Sequence, residues 1–121
     1  MVKDWPKMAK DLSGAIAELR SGIPEVMKAF HEMDSAVSKS GALDPKTKEL
    51  IALALGVATR CDGCLAFHAR AALKYGATRE EIMEMIGMAI YMGGGPSVIY
   101  GAQALEAYDQ FVAARSPAGS P

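Results

Sequence analysis

The sequence predicts an all-α protein of about six helices, on three observations. Apolar residues recur at helical spacing, residues that cap and break helices stand at regular intervals, and little of the chain alternates as a strand would. Its 121 residues suit one domain that buries roughly two thirds of its unfolded surface, and are too few for two cores. The expected domain covers residues 1–115, followed by a flexible tail over 116–121, where Ser116-Pro117-Ala118-Gly119-Ser120-Pro121 offers no apolar anchor beyond alanine.

The elements follow in order. A first amphipathic helix covers about Lys7 to Arg20, Gly22 breaks it, and Pro24 opens a second that runs to about Ser38. Asp44 before Pro45 is an N-cap with proline at the first helical position, and the run Leu50 to Val57 forms the body of a third helix ending near Thr59. A fourth begins at Cys61 or Asp62 and closes at Tyr75, where Gly76 suits the left-handed residue beyond a helix end. Thr78-Arg79-Glu80-Glu81 is a capping box that starts a fifth, ended by Gly93-Gly94-Gly95-Pro96, and Ser97 to about Ala114 forms the sixth. The fifth helix carries Ile82, Met83, Met85, Ile86, Met88, Ala89, Ile90 and Met92 around all its sides. Such a helix needs burial on all sides, so part of it is expected to pack against another subunit.

Charge excludes some partners. With 13 basic and 14 acidic residues and a net charge of -1, nothing favours a nucleic acid or an anionic membrane. The segments Leu50 to Ala58 and Ile82 to Ala89 are too short or too interrupted to cross a bilayer, so no membrane association is expected. The start, Met1-Val2-Lys3-Asp4-Trp5-Pro6, lacks the apolar core of a secretory signal, which predicts a cytoplasmic protein. In that reducing setting a lone cysteine pair is catalytic or metal-binding more often than a staple.

The two cysteines of the chain form one Cys-x-x-Cys unit, Cys61-Asp62-Gly63-Cys64, with His68 four residues on and Glu49 twelve residues upstream. That spacing suits a reversible dithiol/disulfide couple. At roughly 100° per residue, Cys61, Cys64 and His68 fall within an arc of about 60° on one helix face. His68 is an i, i+4 neighbour of Cys64 and can accept its proton, which favours Cys64 as the reactive sulfur. The helix N-terminus, in contrast, favours the thiolate of Cys61. Glu49 precedes an uncharged run of nine residues, Leu50 to Ala58. It is either the carboxylate that orients His68 across antiparallel helices or a solvated glutamate near a helix start.

Glu49, eleven intervening residues, Cys61-x-x-Cys64 and then x-x-x-His68 resembles the signature of the AhpD-like superfamily, which joins alkylhydroperoxidases to carboxymuconolactone decarboxylases. The likeness extends to Leu50-Ile51-Ala52-Leu53-Ala54, to Tyr75-Gly76-Ala77-Thr78 and to the Gly93-Gly94-Gly95-Pro96 break, and covers about residues 35 to 112. It implies an all-helical domain assembled as a homotrimer or homohexamer. It also implies a thiol-dependent peroxidase without a cofactor, in which Cys64 is the reactive thiol, Cys61 resolves it, and Glu49 and His68 form a proton relay. The substrate implied is a small hydroperoxide, and the partner is an external dithiol reductant such as a lipoylated protein. One position departs from the best-known peroxidases of that group, which carry a second histidine where this chain has Gly63. Loss of that side chain leaves a roomier pocket mouth and a shorter relay.

Two other readings compete. A decarboxylase of muconolactone-like acids would not use the cysteine pair. A zinc module would need a fourth ligand beyond Cys61, Cys64 and His68, and the other histidine, His31, stands on a distant amphipathic segment where a solvated polar role is expected. Tyr75, Tyr91, Tyr100 and Tyr108 are expected as packing or interface aromatics, one of them a candidate for the pocket entrance.

Overall fold

Proline placed just inside a helix start and a short polar side chain just before it recur along this chain, and the helices begin where those residues stand. In the computed structural model, which describes residues 1–115, α1 covers Trp5–Gly22 and is capped by the Asp4 carboxylate, which accepts from the Lys7 N–H at 3.1 Å. α2 (Pro24–Val37) follows after Ile23. α3 (Pro45–Ala58) is capped by Asp44, which accepts from the Thr47 N–H at 2.8 Å. α4 covers Asp62–Lys74, α5 covers Arg79–Gly93 behind a complete Thr78/Glu81 capping box, and α6 covers Gly95–Ala114. The order agrees with the reading from sequence. α1 starts two residues earlier than expected because Asp4 caps it, and α6 starts at Gly95 with Pro96 inside its first turn. The expected tail at 116–121 lies outside the described residues.

α4 lies at the centre, packed against α3, α6 and α1. Its buried face is Leu65, Ala66, Ala69 and Ala72, and such small residues let neighbouring helices approach closely. α3 adds Leu53 and Val57, α5 adds Ile82, Ile86 and Ala89, and α6 adds Ala104, Ala107, Tyr108 and Phe111. Trp5 at the start of α1 is fully buried, and the Tyr108 hydroxyl donates to the Ala77 carbonyl at 2.7 Å, tying α6 to the α4–α5 turn. Burial raises the Tyr108 phenol above its ordinary range. The Lys46–Glu81 ion pair joins the starts of α3 and α5, and Arg79 grips Asp109 of α6 with two nitrogens.

Two apolar helix faces stay bare within one chain. Within one chain α5 is buried along one side alone, while Met88, Tyr91 and Met92 are 63%, 80% and 79% exposed. α2 has no buried residue at all; it packs against α1, and the Lys48 ammonium of α3 donates to its last carbonyl, that of Val37, at 2.9 Å. Its apolar residues Val26, Phe30, Met33 and Val37, spaced by four, three and four, all lie exposed along one stripe.

Candidate active site

The α3–α4 connection is short, Thr59-Arg60-Cys61, and turns through Arg60, a non-glycine residue in the left-handed region at φ 56°. Its tightness is supported by the Cys61 N–H, which donates back to the Gly56 carbonyl at 3.0 Å. α3 and α4 therefore run antiparallel in close contact. Gly56 sets how close: a Cβ there would stand 3.0 Å from Cys64 Cβ and 3.5 Å from Leu65 Cδ2. The absent side chain lets the α3 backbone lie directly beside the cysteine turn.

Cys61 occupies the N-cap position of α4, and its sulfur accepts from the Cys64 N–H at 3.2 Å. The two cysteines are joined as a disulfide with Cα atoms 5.2 Å apart, inside the usual range for such a bond. One turn further, His68 Nδ1 meets Glu49 Oε1 at 2.6 Å. The Glu49 side chain is 15% exposed and that of His68 38%. Of the two readings left open for Glu49, the inward one holds: it lies across the helix pair against the imidazole. An ionised Glu49 keeps the proton on Nδ1 and leaves Nε2 as the nitrogen free to exchange a proton. Glu49, Cys61, Cys64 and His68 thus stand together, as their spacing suggested.

A groove of about 710 Å³ opens beside the disulfide. Cys61, Gly63, Cys64 and His68 lie along one side, with Ala52 and Phe67; Leu12 and Ile16 of α1 and Phe30, Met33 and Val37 of α2 supply the rest. Asp34 is the one acidic residue in the lining. No tyrosine lines it: Tyr108 is core, while Tyr75 and Tyr91 face outward. At Gly63 the room left by a missing side chain is taken in part by Leu12, whose Cδ1 would stand 3.1 Å from an added Cβ. The pocket mouth is therefore narrower at that point than the sequence suggests. His31 sits elsewhere on α2, near Arg20 and Met27, so the cysteine pair has no second histidine within reach.

Sequence reasoning passed over several contributors. Gly56 could have been noticed as a glycine inside an apolar helical run, which signals close backbone approach. The groove residues of α1 and α2 carried no signal beyond amphipathicity. Nor did the contact between Lys3 and Asp62, which joins the N-terminal segment to the first of the two residues between the cysteines.

An all-helical bundle with a paired imidazole and carboxylate beside a Cys-x-x-Cys disulfide defines the AhpD-like class, and the comparisons agree. The model of the carboxymuconolactone decarboxylase family matches residues 24–107. A crystal structure of a carboxymuconolactone decarboxylase family protein from Legionella pneumophila superposes with a TM-score of 0.86 at 50% identity, covering 88% of this chain and 96% of that one. One from Thermotoga maritima, for which an antioxidative role has been suggested, gives a TM-score of 0.78 at 30% identity over 88% of this chain and 91% of that one. An uncharacterized protein of Cupriavidus necator is 37% identical over 90% of this chain and 96% of its own length. The chain belongs to the carboxymuconolactone decarboxylase family. Among the described residues, no helix is long and apolar enough to cross a membrane.

Proposed function

We propose that this protein is a thiol-dependent peroxidase that cycles Cys61 and Cys64 between dithiol and disulfide. The observation that carries the reading is the Glu49–His68 pair at 2.6 Å, one helical turn from the Cys61–Cys64 bond. In the reduced protein, His68 accepts the Cys64 proton through Nε2 while Glu49 stabilises the resulting imidazolium. The Cys64 thiolate attacks the terminal oxygen of a hydroperoxide, the O–O bond breaks, and the alkoxide leaves as an alcohol with the proton from His68. Cys64 is then a sulfenic acid. The Cys61 thiol condenses with it, forming the disulfide and releasing water. An external dithiol, such as a lipoyl group on a partner protein, exchanges with the disulfide and restores both thiols. Summed, one hydroperoxide and one dithiol give an alcohol, water and a disulfide.

The apolar groove supports an organic hydroperoxide as substrate, and the antioxidative role suggested for the Thermotoga maritima relative agrees with it. We infer a cytoplasmic location, where dithiols are kept reduced. We also infer a homo-oligomer, a trimer or hexamer, because α2 and the outer side of α5 present apolar residues that a single chain leaves bare. A lactone decarboxylase would have no use for the couple, and an assay of the double cysteine variant with lactone separates the two activities.

The test is a titration of free thiols in reduced protein before and after one equivalent of hydroperoxide, with mass spectrometry of the product. Loss of two thiols per chain into a Cys61–Cys64 bond is expected, and a Cys64→Ser variant should consume no peroxide. Unchanged thiols, or a Cys64→Ser variant as active as the parent, would overturn the reading.

A further inference from the structure

The four residues before α1 have no secondary structure, yet side chains of α6 hold them closely. Glu106 accepts from the Val2 N–H at 2.7 Å, from the Lys3 N–H at 2.9 Å and from the Trp5 indole at 2.9 Å. Gln110 accepts from the Trp5 N–H at 2.8 Å and donates to the Lys3 carbonyl at 2.7 Å. Held in this way, Lys3 extends its ammonium to Gln103 Oε1 at 2.9 Å and to the carboxylate of Asp62. Asp62 is the first of the two residues between the cysteines and the first residue of α4. By itself, a half-exposed lysine–aspartate pair is worth little. This one differs in its ordered lysine backbone and in its acidic partner, which shares a helical turn with both sulfurs.

We infer that Lys3 is a positioning residue of the redox site: by neutralising Asp62 it favours the thiolate form of the cysteine couple. The inference rests on the redox reading given above. A carboxylate within one turn of a thiol opposes ionisation of that thiol, and it offsets the help that the α4 N-terminus gives. The ammonium removes that opposition. The other charged or titratable groups around the lysine, the aspartate and the cysteines are His68 on α4, Glu49 on α3, Arg60 in the α3–α4 turn, Asp34 on α2, Glu106 on α6, and Asp4 with the Lys7–Asp11 ion pair at the start of α1. Asp34 and Asp62 are both acidic, so Lys3 supplies the compensating charge from the N-terminal side.

The experiment measures the midpoint pH of Cys64 alkylation by iodoacetamide in the chemically reduced, full-length protein. It needs neither peroxide nor the natural reductant, so it succeeds or fails independently of peroxidase activity. Lys3→Met should raise the midpoint by about half a pH unit, a roughly threefold loss of thiolate below it. Asp62→Asn should lower it, and the double variant should return close to the parent value. A lysine that only clamps the N-terminus would change the melting temperature and leave all the midpoints alike, and that result overturns the inference. So does an upward shift in Asp62→Asn. If Lys3→Met fails to fold, Lys3→Gln, which keeps a polar side chain beside Gln103, takes its place: a raised midpoint supports the coupling, and an unmoved midpoint refutes it.

Discussion

Glu49 and His68 are separated by 19 residues in the chain and by 2.6 Å in space, and the proposed chemistry depends on that contact. In the proposed cycle Glu49 fixes the imidazole tautomer and steadies its charge, so Glu49→Gln should cut turnover about 10²-fold with little change in KM. His68→Ala, which removes the proton acceptor, should cost at least as much. Steady-state kinetics with an organic hydroperoxide checks both. Gly56 acts by what it lacks. Gly56→Ala would press a methyl group into Cys64 Cβ and Leu65, and should destabilise the fold by about 1–3 kcal/mol, visible as a fall in Tm. Because the same methyl group pushes against Cys64, disulfide formation should also slow.

At the scale of elements, the N-terminal segment and α6 form a unit with its own pH dependence. Burial acts to raise the Glu106 carboxyl, but the N–H groups of Lys3 and Val2 and the Trp5 indole outweigh it and hold the group below its ordinary value of 4.5. A carboxyl lowered in the folded state stabilises that state above its unfolded value and ceases to do so as pH falls through the folded one. The segment should therefore loosen on acidification below pH 4.5, as pH falls through the lowered Glu106 value. Trp5, the single tryptophan, reports this directly as a fluorescence change. Glu106→Gln should remove the acid-side transition and weaken the docking at neutral pH. Trp5→Ala, which empties a fully buried site, should cost about 3–5 kcal/mol.

For the whole molecule, the apolar stripe of α2 and the outer side of α5 set the expectation. A 14-residue helix with no buried side chain has little reason to stay folded against water. Assembly would supply the missing contacts. Phe30→Asp together with Val37→Asp should reduce the oligomer to smaller species in analytical ultracentrifugation, whereas Glu32→Lys on the same helix should not. An unaltered sedimentation profile in the double variant would remove α2 from any interface.

Much of this was legible in the chain itself. The caps at Asp44 and Thr78, the break at Gly76 and the i, i+4 relation of Cys64 to His68 are local matters, decided by backbone sterics and hydrogen bonds within a few residues. They set six helices and put three of the four candidate site residues on one helix face. Position along the chain could not decide whether Glu49 faced solvent or His68, because that depends on how closely two helices pack, and here Gly56 sets the distance. Nor could it reveal that Lys3 would reach Asp62, 59 residues away, or that α2 would stand apart from the core with its apolar face bare. Such contacts join distant segments, and only the packed chain brings them together.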